Sequence, residues 1–363
     1  MGLTSKMSHA RDPAPAGGTA GPWQRYGQWR CLAGALLALV LSLPARAERA
    51  YVSNEDDGTV TVIDADRGAT VATIAVGKRP RGLALSPDGR LLYVAVSGLP
   101  KCPPPLTDEQ CAKLPRDPAA DGIAVIDTVS LARTRVLGGV TDPERVAVSR
   151  DGHRLYVSEE DAARLAVLEA THGRVLATVP VGREPEGVRV SPNGRWVLIT
   201  SEEDNTVTVV DTKTNAIAGK ASVGARPRDL AFSPDSRFAY VSGEADASLW
   251  RVAVPAGAPA AEFFKLRREV RPMGVALDGG RGRLYVGAGR AGTVAVVSLE
   301  GPGLIAEVAC GGRPWGVALG PGGRRLYSPN GPSGEVAIVD TETLTVTARI
   351  ATGKGPWAVV AGP

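Results

Sequence analysis

The sequence is poor in histidine, cysteine and aromatic residues: its 363 residues include three histidines and four cysteines, and 5% are aromatic. Beyond residue 47 the only histidines are His153 and His172, and both fall in predicted turns. A haem site, a multi-histidine copper site or a histidine general base needs imidazoles that converge on one place. Residues 48–363 also lack Cys-x-x-Cys-His, Gly-x-Ser-x-Gly and phosphate-binding glycine motifs. The sequence therefore predicts no catalytic residue set and no cofactor.

Long apolar runs are also missing, apart from residues 31–43. Thirteen residues are too few to span a bilayer as a helix, which takes about 20. The run follows Arg25 and Arg30 and precedes Ala45-Arg46-Ala47, whose small residues fit a signal peptidase. We therefore predict a cleaved secretory signal over residues 1–47, a periplasmic location and no membrane span after cleavage. An uncleaved N-terminal anchor is the alternative.

The small excess of positive charge belongs to this predicted signal. The chain has 42 basic and 38 acidic residues and a formal net charge of +4. Residues 1–47 contain five of the basic residues and one acid, which leaves 37 of each sign in residues 48–363. A neutral mature chain gives no reason to expect a nucleic acid as partner. A content of 44% hydrophobic and 22% charged residues is typical of a globular chain.

A prolyl motif repeats seven times along the rest of the chain. Its prolines are Pro80, Pro143, Pro185, Pro227, Pro272, Pro314 and Pro356. Their spacings of 63, 42, 42, 45, 42 and 42 give a period of 42, with insertions of 21 residues in the second repeat and 3 in the fifth. Seven periods account for residues 48–363, so we predict a single domain there, with an insertion at residues 98–120.

Each period has the pattern of four short strands. An apolar strand follows the proline, and then comes a turn such as Ser86-Pro87-Asp88-Gly89. The second strand contains a tyrosine in six repeats and Val197 in the fourth, and two alternating strands complete the unit. Four antiparallel strands in about 42 residues are typical of a β-propeller blade. We predict an all-β, seven-bladed propeller whose first blade is closed by the C-terminal strand around Trp357.

Two of the cysteines lie in the insertion, and the third beyond the signal lies elsewhere. Cys102 and Cys111 flank three prolines, and an exported chain favours a disulfide between them. A metal site is the weaker alternative, because no third ligand is near in the sequence. Cys310 lies at a blade junction, where we expect a free, partly buried thiol.

Blade topology places the prolyl motifs at one end of the ring, which we call the mouth. The residues that follow the seven prolines are Arg81, Glu144, Glu186, Arg228, Met273, Trp315 and Trp357. Four charged residues form one arc of the mouth, and methionine with two tryptophans forms the other. An apolar wall with a few converging charges is the usual form of a ligand site. The alternative is that the neighbouring arginines and glutamates only compensate one another.

Acidic loops share this end of the ring: residues 55–57, 159–161, 202–204 and 244–246. They present oxygen ligands of the kind that Ca²⁺ takes. None has the ligand spacing of an established calcium motif, so we predict no metal site and interpret these loops as solvated turns.

These repeats resemble the YVTN family of β-propellers, named for a segment present here as Tyr51-Val52-Ser53-Asn54. The order of the prolyl motifs, from Arg-Pro-Arg-Gly through Glu-Pro-Glu-Gly to Pro-Trp, is similar to that of exported seven-repeat proteins associated with pyrroloquinoline quinone (PQQ)-dependent alcohol catabolism. The resemblance covers residues 50–361. It implies a periplasmic protein that acts beside a quinoprotein dehydrogenase or a transporter component, with no catalytic residues to carry over. The Cys102–Cys111 insertion departs from this pattern.

Three functions remain open from the sequence. The first is a non-enzymatic propeller that binds a small molecule or scaffolds a partner at the mouth. The second is an enzyme of the lactonase or amine-dehydrogenase heavy-chain type, with Glu144 or Glu186 as base and Arg81 or Arg228 stabilising an oxyanion. The third is a cell-surface adhesive module.

Overall fold

Seven four-stranded antiparallel sheets make up the part of the chain that the structure describes. The computed structural model describes residues 47–102, 105–111, 113–256 and 259–363. The secretory signal predicted for residues 1–47 lies outside these residues except for Ala47. Within the described ranges no helix is long and apolar enough to cross a membrane.

The strands follow one another blade by blade. Blade 1 begins with β1 (Arg49–Asn54), β2 (Thr59–Asp64) and β3 (Ala69–Ala75). Blade 2 contains β4 (Pro80–Leu85), β5 (Leu91–Val96), β6 (Gly122–Asp127) and β7 (Ala132–Leu137). Blade 3 contains β8 (Pro143–Val148), β9 (Arg154–Glu159), β10 (Arg164–Glu169) and β11 (Val175–Pro180). Blade 4 contains β12 (Pro185–Val190), β13 (Trp196–Ser201), β14 (Thr206–Asp211) and β15 (Ile217–Ser222).

The remaining blades repeat the same order. Blade 5 contains β16 (Pro227–Phe232), β17 (Phe238–Gly243), β18 (Ser248–Ala253) and β19 (Ala261–Lys265). Blade 6 contains β20 (Pro272–Asp278), β21 (Arg283–Ala288), β22 (Thr293–Ser298) and β23 (Leu304–Ala309). Blade 7 contains β24 (Ala318–Leu319), β25 (Arg325–Asn330), β26 (Glu335–Asp340) and β27 (Thr345–Ala351). The final strand, β28 (Pro356–Gly362), is the innermost strand of blade 1.

Helical turns are short and lie in connections. One α-helical turn, α1 (Asp108–Cys111), and one 3₁₀ turn, Pro118–Ala120, belong to the insertion in blade 2. Two more 3₁₀ turns, Pro321–Gly323 and Gly331–Ser333, belong to blade 7.

Ring closure by the C-terminal strand is confirmed. Strand β28 pairs antiparallel with β1, with Tyr51 opposite Val360 and Val52 opposite Val359. Because the first and last strands share one sheet, blade 1 has no unpaired inner edge.

Burial follows the predicted position of each strand in its blade. The second and third strands are almost wholly buried, whereas the outermost strands, such as β3, alternate and are largely exposed. The tyrosine of the second strand is buried between blades: Tyr93 of blade 2 packs in one cluster with Leu155 and Val157 of blade 3. Burial of a large apolar side chain contributes about 1.5–3 kcal/mol, so the repeated tyrosine position stabilises the contact of each blade with the next.

The turn between the first two strands has the predicted chemistry. Ser86 Oγ accepts a hydrogen bond from Leu91 N at 2.9 Å and donates one to Asp88 Oδ1 at 2.5 Å, while Gly89 adopts a φ of 67°. Equivalent contacts recur at Ser149, Ser191 and Ser233.

The inner strand of blade 7 is shorter than the repeat predicts. The other inner strands begin at the repeat proline, but β24 covers only Ala318–Leu319, and Pro314 forms an isolated bridge with Asn330. The neighbouring strand β25 contains Pro329, which has no N–H to donate to a ladder. Trp315 therefore lies in irregular backbone instead of at the start of a regular strand.

Candidate functional site

The seven residues that follow the repeat prolines line one cavity of about 440 Å³ at the mouth. They are the predicted residues Arg81, Glu144, Glu186, Arg228, Met273, Trp315 and Trp357. In every repeat the residue before the proline has a positive φ, from 40° at Asp142 to 63° at Gly355. A left-handed residue before the fixed φ of proline turns the chain sharply. This repeated bend brings each following side chain to the ring axis.

Serine hydroxyls fix the backbone of three of these residues from the preceding blade. The donor and acceptor pairs are Ser53 Oγ to Arg81 O at 2.6 Å, Ser158 Oγ to Glu186 O at 2.8 Å, and Ser242 Oγ to Met273 O at 2.6 Å. Each serine is fully buried. Since the acceptor carbonyls belong to the next blade, these bonds join the blades at the mouth and hold the cavity wall rigid.

Arg81 binds three carboxylates. Its Nη2 lies 2.9 Å from Asp142 Oδ1, its Nη1 lies 3.1 Å from Glu160 Oε2, and it also contacts Glu144. Burial opposes the charged guanidinium, but the Glu160 and Asp142 charges outweigh it and raise the pKa of Arg81. Burial also raises the pKa of Glu160, with Glu186 adding to the effect. This group of charges is self-compensated and tightly held.

Arg228 forms a second group of the same kind. It contacts Glu186, lies 2.6 Å from Glu202 Oε2 and donates from Nε to Glu244 Oε2 at 2.7 Å. Burial raises the pKa of Glu202 to about 7, and the Glu186 charge adds to the rise. Glu202 and Glu244 come from two of the acidic loops, so these loops supply carboxylates to arginines of the mouth.

The opposite arc of the mouth is aromatic. Trp315 and Trp357 stack with ring centroids 6.4 Å apart and an angle of 25° between their planes. Arg313 lies over Trp315 at 4.6 Å, and Met273 completes this wall. Trp315 is partly exposed whereas Trp357 is buried, at 8% exposure. An aromatic ring that lines a cavity offers a flat apolar surface to a ligand.

Two further charged residues, Arg145 and Asp229, lie on the innermost strands near the mouth, and neither is among the predicted site residues. Both occupy the position two residues after the repeat proline, where most blades have glycine. A Cβ added at Gly274 would lie 2.8 Å from Gly316 Cα, so neighbouring inner strands approach too closely for most side chains. Arg145 of blade 3 reaches Trp357 of blade 1 at 4.7 Å and Asp229 of blade 5 at 3.7 Å. Its side chain, which lines the cavity, therefore contacts residues of two blades that are not adjacent to its own.

The insertion in blade 2 forms part of the rim. Lys101 and Cys102 line the cavity, and the predicted Cys102–Cys111 disulfide is present. Lys101 Nζ lies 2.8 Å from Asp56 Oδ1 and 3.1 Å from Glu55 Oε2, so the insertion is attached to the first acidic loop across the blade boundary.

Cys310, His153 and His172 do not line this cavity. Cys310 is free, as expected, but fully buried, and burial raises the pKa of its thiol to about 11. His153 and His172 are exposed. Among the described residues, no group of three or more histidine, cysteine, aspartate or glutamate side chains is arranged to hold a metal ion.

Comparison with known proteins gives one family match and many structural ones. A sequence model of the Choice-of-anchor I domain matches residues 45–219. No curated protein matches at a significant level. Among solved structures, a putative 6-phosphogluconolactonase from Bacteroides uniformis is 15% identical with a TM-score of 0.70, covering 87% of this chain and 100% of that one.

Two further solved structures are also similar. Hydrazine synthase from Kuenenia stuttgartiensis is 18% identical with a TM-score of 0.66, covering 80% of this chain and 92% of that one. The dihydro-heme d1 dehydrogenase NirN is 18% identical with a TM-score of 0.57, covering 86% of this chain and 66% of that one. At these identities the likeness shows a shared propeller fold and says nothing of a shared activity.

Proposed function

We propose that this chain is an exported, non-enzymatic propeller that binds a small molecule or a loop of a partner protein at its mouth. The proposal rests mainly on one position of the repeat, the residue after the proline, whose chemistry is not repeated from blade to blade. Turn serines and buried tyrosines recur from blade to blade, but the residue after each proline changes in chemistry, and all seven such residues line one cavity. A repeat scaffold needs no such variety for its own packing, whereas a ligand site does.

The likeness of the prolyl motifs to PQQ-associated propellers supports a setting in alcohol catabolism. The partner would then be a periplasmic quinoprotein dehydrogenase or a transporter component. The match to a Choice-of-anchor I domain and the predicted signal support a secreted or surface location.

Ion pairing disfavours the hydrolase alternative. Glu144 and Glu186 would have to act as a general base, but each contacts a buried arginine, Arg81 and Arg228 respectively. A general base must place a free carboxylate oxygen within reach of the substrate proton, and these two carboxylates are already directed at guanidinium groups. Lactone hydrolysis by the purified protein that is lost in Glu186→Gln would instead favour the enzyme.

The test is ligand capture by the mouth. Purified protein is incubated with the small-molecule fraction of a periplasmic extract from alcohol-grown cells and examined by native mass spectrometry. We expect a bound species in the wild type that is lost in the Trp315→Ala/Trp357→Ala double variant. Trp196→Ala is the matched control, because this residue begins the second strand of blade 4 and does not line the cavity. Capture that persists in the double variant contradicts the proposal.

A further inference from the structure

One cation of the mouth cavity, the guanidinium of Arg145, has no hydrogen-bond acceptor among the residues that the structure describes. Arg145 lines the cavity with its side chain 12% exposed, yet its Nε is buried without a hydrogen-bond partner, and its Nη atoms donate to no residue in the described part of the chain. By contrast, Arg81 and Arg228 each contact three carboxylates. Arg145 therefore differs from the compensated arginines on either side of it.

The nearest carboxylate, Asp229, is already committed to other donors. Its Oδ2 accepts from Arg189 Nη2 at 2.9 Å and its Oδ1 accepts from Leu230 N at 2.9 Å. Asp229 lies 3.7 Å from Arg145, which is beyond hydrogen-bond distance. Burial accordingly lowers the pKa of Arg145. Burying a guanidinium without hydrogen-bond acceptors costs free energy. The carboxylate of a ligand has two oxygen atoms, which can accept two parallel hydrogen bonds from the N–H groups of the guanidinium.

The surroundings of Arg145 define the rest of the ligand. The guanidinium lies 4.7 Å from the ring of Trp357, which stacks on Trp315, and Met273 lines the same cavity. A group bound to Arg145 therefore lies beside a flat apolar wall. The cavity of about 440 Å³ is of the size of a small-molecule site.

The charged arc of the mouth does not offer an equally strong site for a cationic ligand. Glu144, Glu186 and Glu202 are each bound to arginine. Glu184 has no ion pair within the described residues, but it is only half-buried. A half-buried carboxylate can accept hydrogen bonds from water, whereas the side chain of Arg145 is largely shielded from water.

We infer that the mouth cavity binds a small monocarboxylate with a flat apolar body, its carboxylate on Arg145 and its body against Trp315 and Trp357. This inference rests on the proposed binding function and names the chemical class of its ligand.

Isothermal titration calorimetry with two probes of equal shape and opposite charge tests the inference. We expect wild-type protein to bind benzoate at millimolar concentration and to bind benzylammonium about tenfold more weakly or not at all. Arg145→Gln should weaken benzoate binding about tenfold or more. Arg145→Lys should give an intermediate loss of affinity, because lysine keeps the positive charge but cannot donate two parallel hydrogen bonds to one carboxylate. Arg90→Gln, an exposed arginine in a turn at the opposite end of the ring, should bind benzoate like the wild type.

The probe comparison in the wild type does not depend on the folding of any variant. Equal or tighter binding of benzylammonium overturns the inference, as does benzoate binding that is unchanged in Arg145→Gln or absent from the wild type. If benzoate fails but native mass spectrometry still detects a tryptophan-dependent ligand, the carboxylate class is wrong and the proposed binding function stands.

Discussion

Replacement of Arg81 by methionine tests whether the charged arc of the mouth stabilises the ring. Methionine keeps an unbranched stem in the space of the arginine but removes the cation. Asp142 and Glu144 are 0% and 1% exposed, so both would stay buried without the guanidinium that they contact. Breaking one buried ion pair by removing a partner costs about 3–5 kcal/mol. We expect a loss of at least this size, a large part of the ~5–15 kcal/mol that stabilises a typical domain.

The loss should depend on pH, with a defined sign. Burial already raises the pKa of Glu160 in the folded state while the Arg81 charge lowers it, so without Arg81 this pKa would rise further above its value in the unfolded chain. The unfolded state then gives up protons at a lower pH than the folded state does, so stability falls as pH rises through that interval. Each unit of pKa difference corresponds to about 1.36 kcal/mol. Arg81→Met should therefore be destabilised more at pH 8 than at pH 5.

Urea unfolding followed by tryptophan fluorescence at both pH values measures the effect. Arg90→Met is the matched control, since Arg90 is exposed in a turn and the same change there should alter stability little. A loss in Arg81→Met below about 1 kcal/mol would show that solvent or rearrangement replaces the arginine. An equal loss at pH 5 and pH 8 would show that the buried carboxylates are not its cause.

Three further predictions concern other parts of the ring. Deletion of residues 355–363 removes β28 and opens blade 1, so the melting temperature should fall well below that of the full chain; equal melting curves would refute closure as a source of stability. The Cys102→Ser variant should be cleaved faster by trypsin after Lys113, with little change in global melting, and unchanged cleavage would show that the disulfide does not restrain the insertion. Wild-type stability should fall as pH rises from about 4.5 to about 7, because burial raises the pKa of Glu202 to about 7 in the folded state. Glu202→Gln should flatten this part of the stability curve, and an unchanged slope would assign the effect to another group.

The fold could be predicted from the sequence because local chemistry repeats with the blade. The serine turn at Ser86, the buried tyrosine at Tyr93 and the proline at Pro80 each require one conformation, and a period of 42 residues places them once per blade. Ring closure could be predicted because the first strand, with Tyr51, has the pattern of a second strand of a blade, and the last, with Pro356, has the pattern of a first strand. The exception is blade 7, where Pro329 interrupts a ladder that the period alone predicts.

The candidate site could be predicted only in part. Sequence position places the seven residues after the prolines at one end of the ring, and the structure brings them to one cavity. Their partners depend on side-chain reach across blades, which the spacing of residues does not give. The sequence does contain a signal for Arg145 and Asp229, since both replace the glycine found at this position in other blades. That Arg145 of blade 3 reaches Trp357 of blade 1 is a property of the closed ring.

The two arcs of the mouth therefore differ in what they can contribute to binding. In the charged arc, Arg81 and Arg228 have their donors occupied by carboxylates, so a ligand would have to replace strong buried contacts to bind there. In the aromatic arc, Trp315 and Trp357 line the cavity beside Arg145, which has no hydrogen-bond acceptor within the described ranges of the chain. A ligand that binds there displaces no hydrogen-bonded ion pair, because Asp229 lies 3.7 Å from Arg145, and it supplies the missing acceptor. The charged arc thus acts as the rigid frame of the cavity, and the free energy of binding should come from the aromatic arc and Arg145.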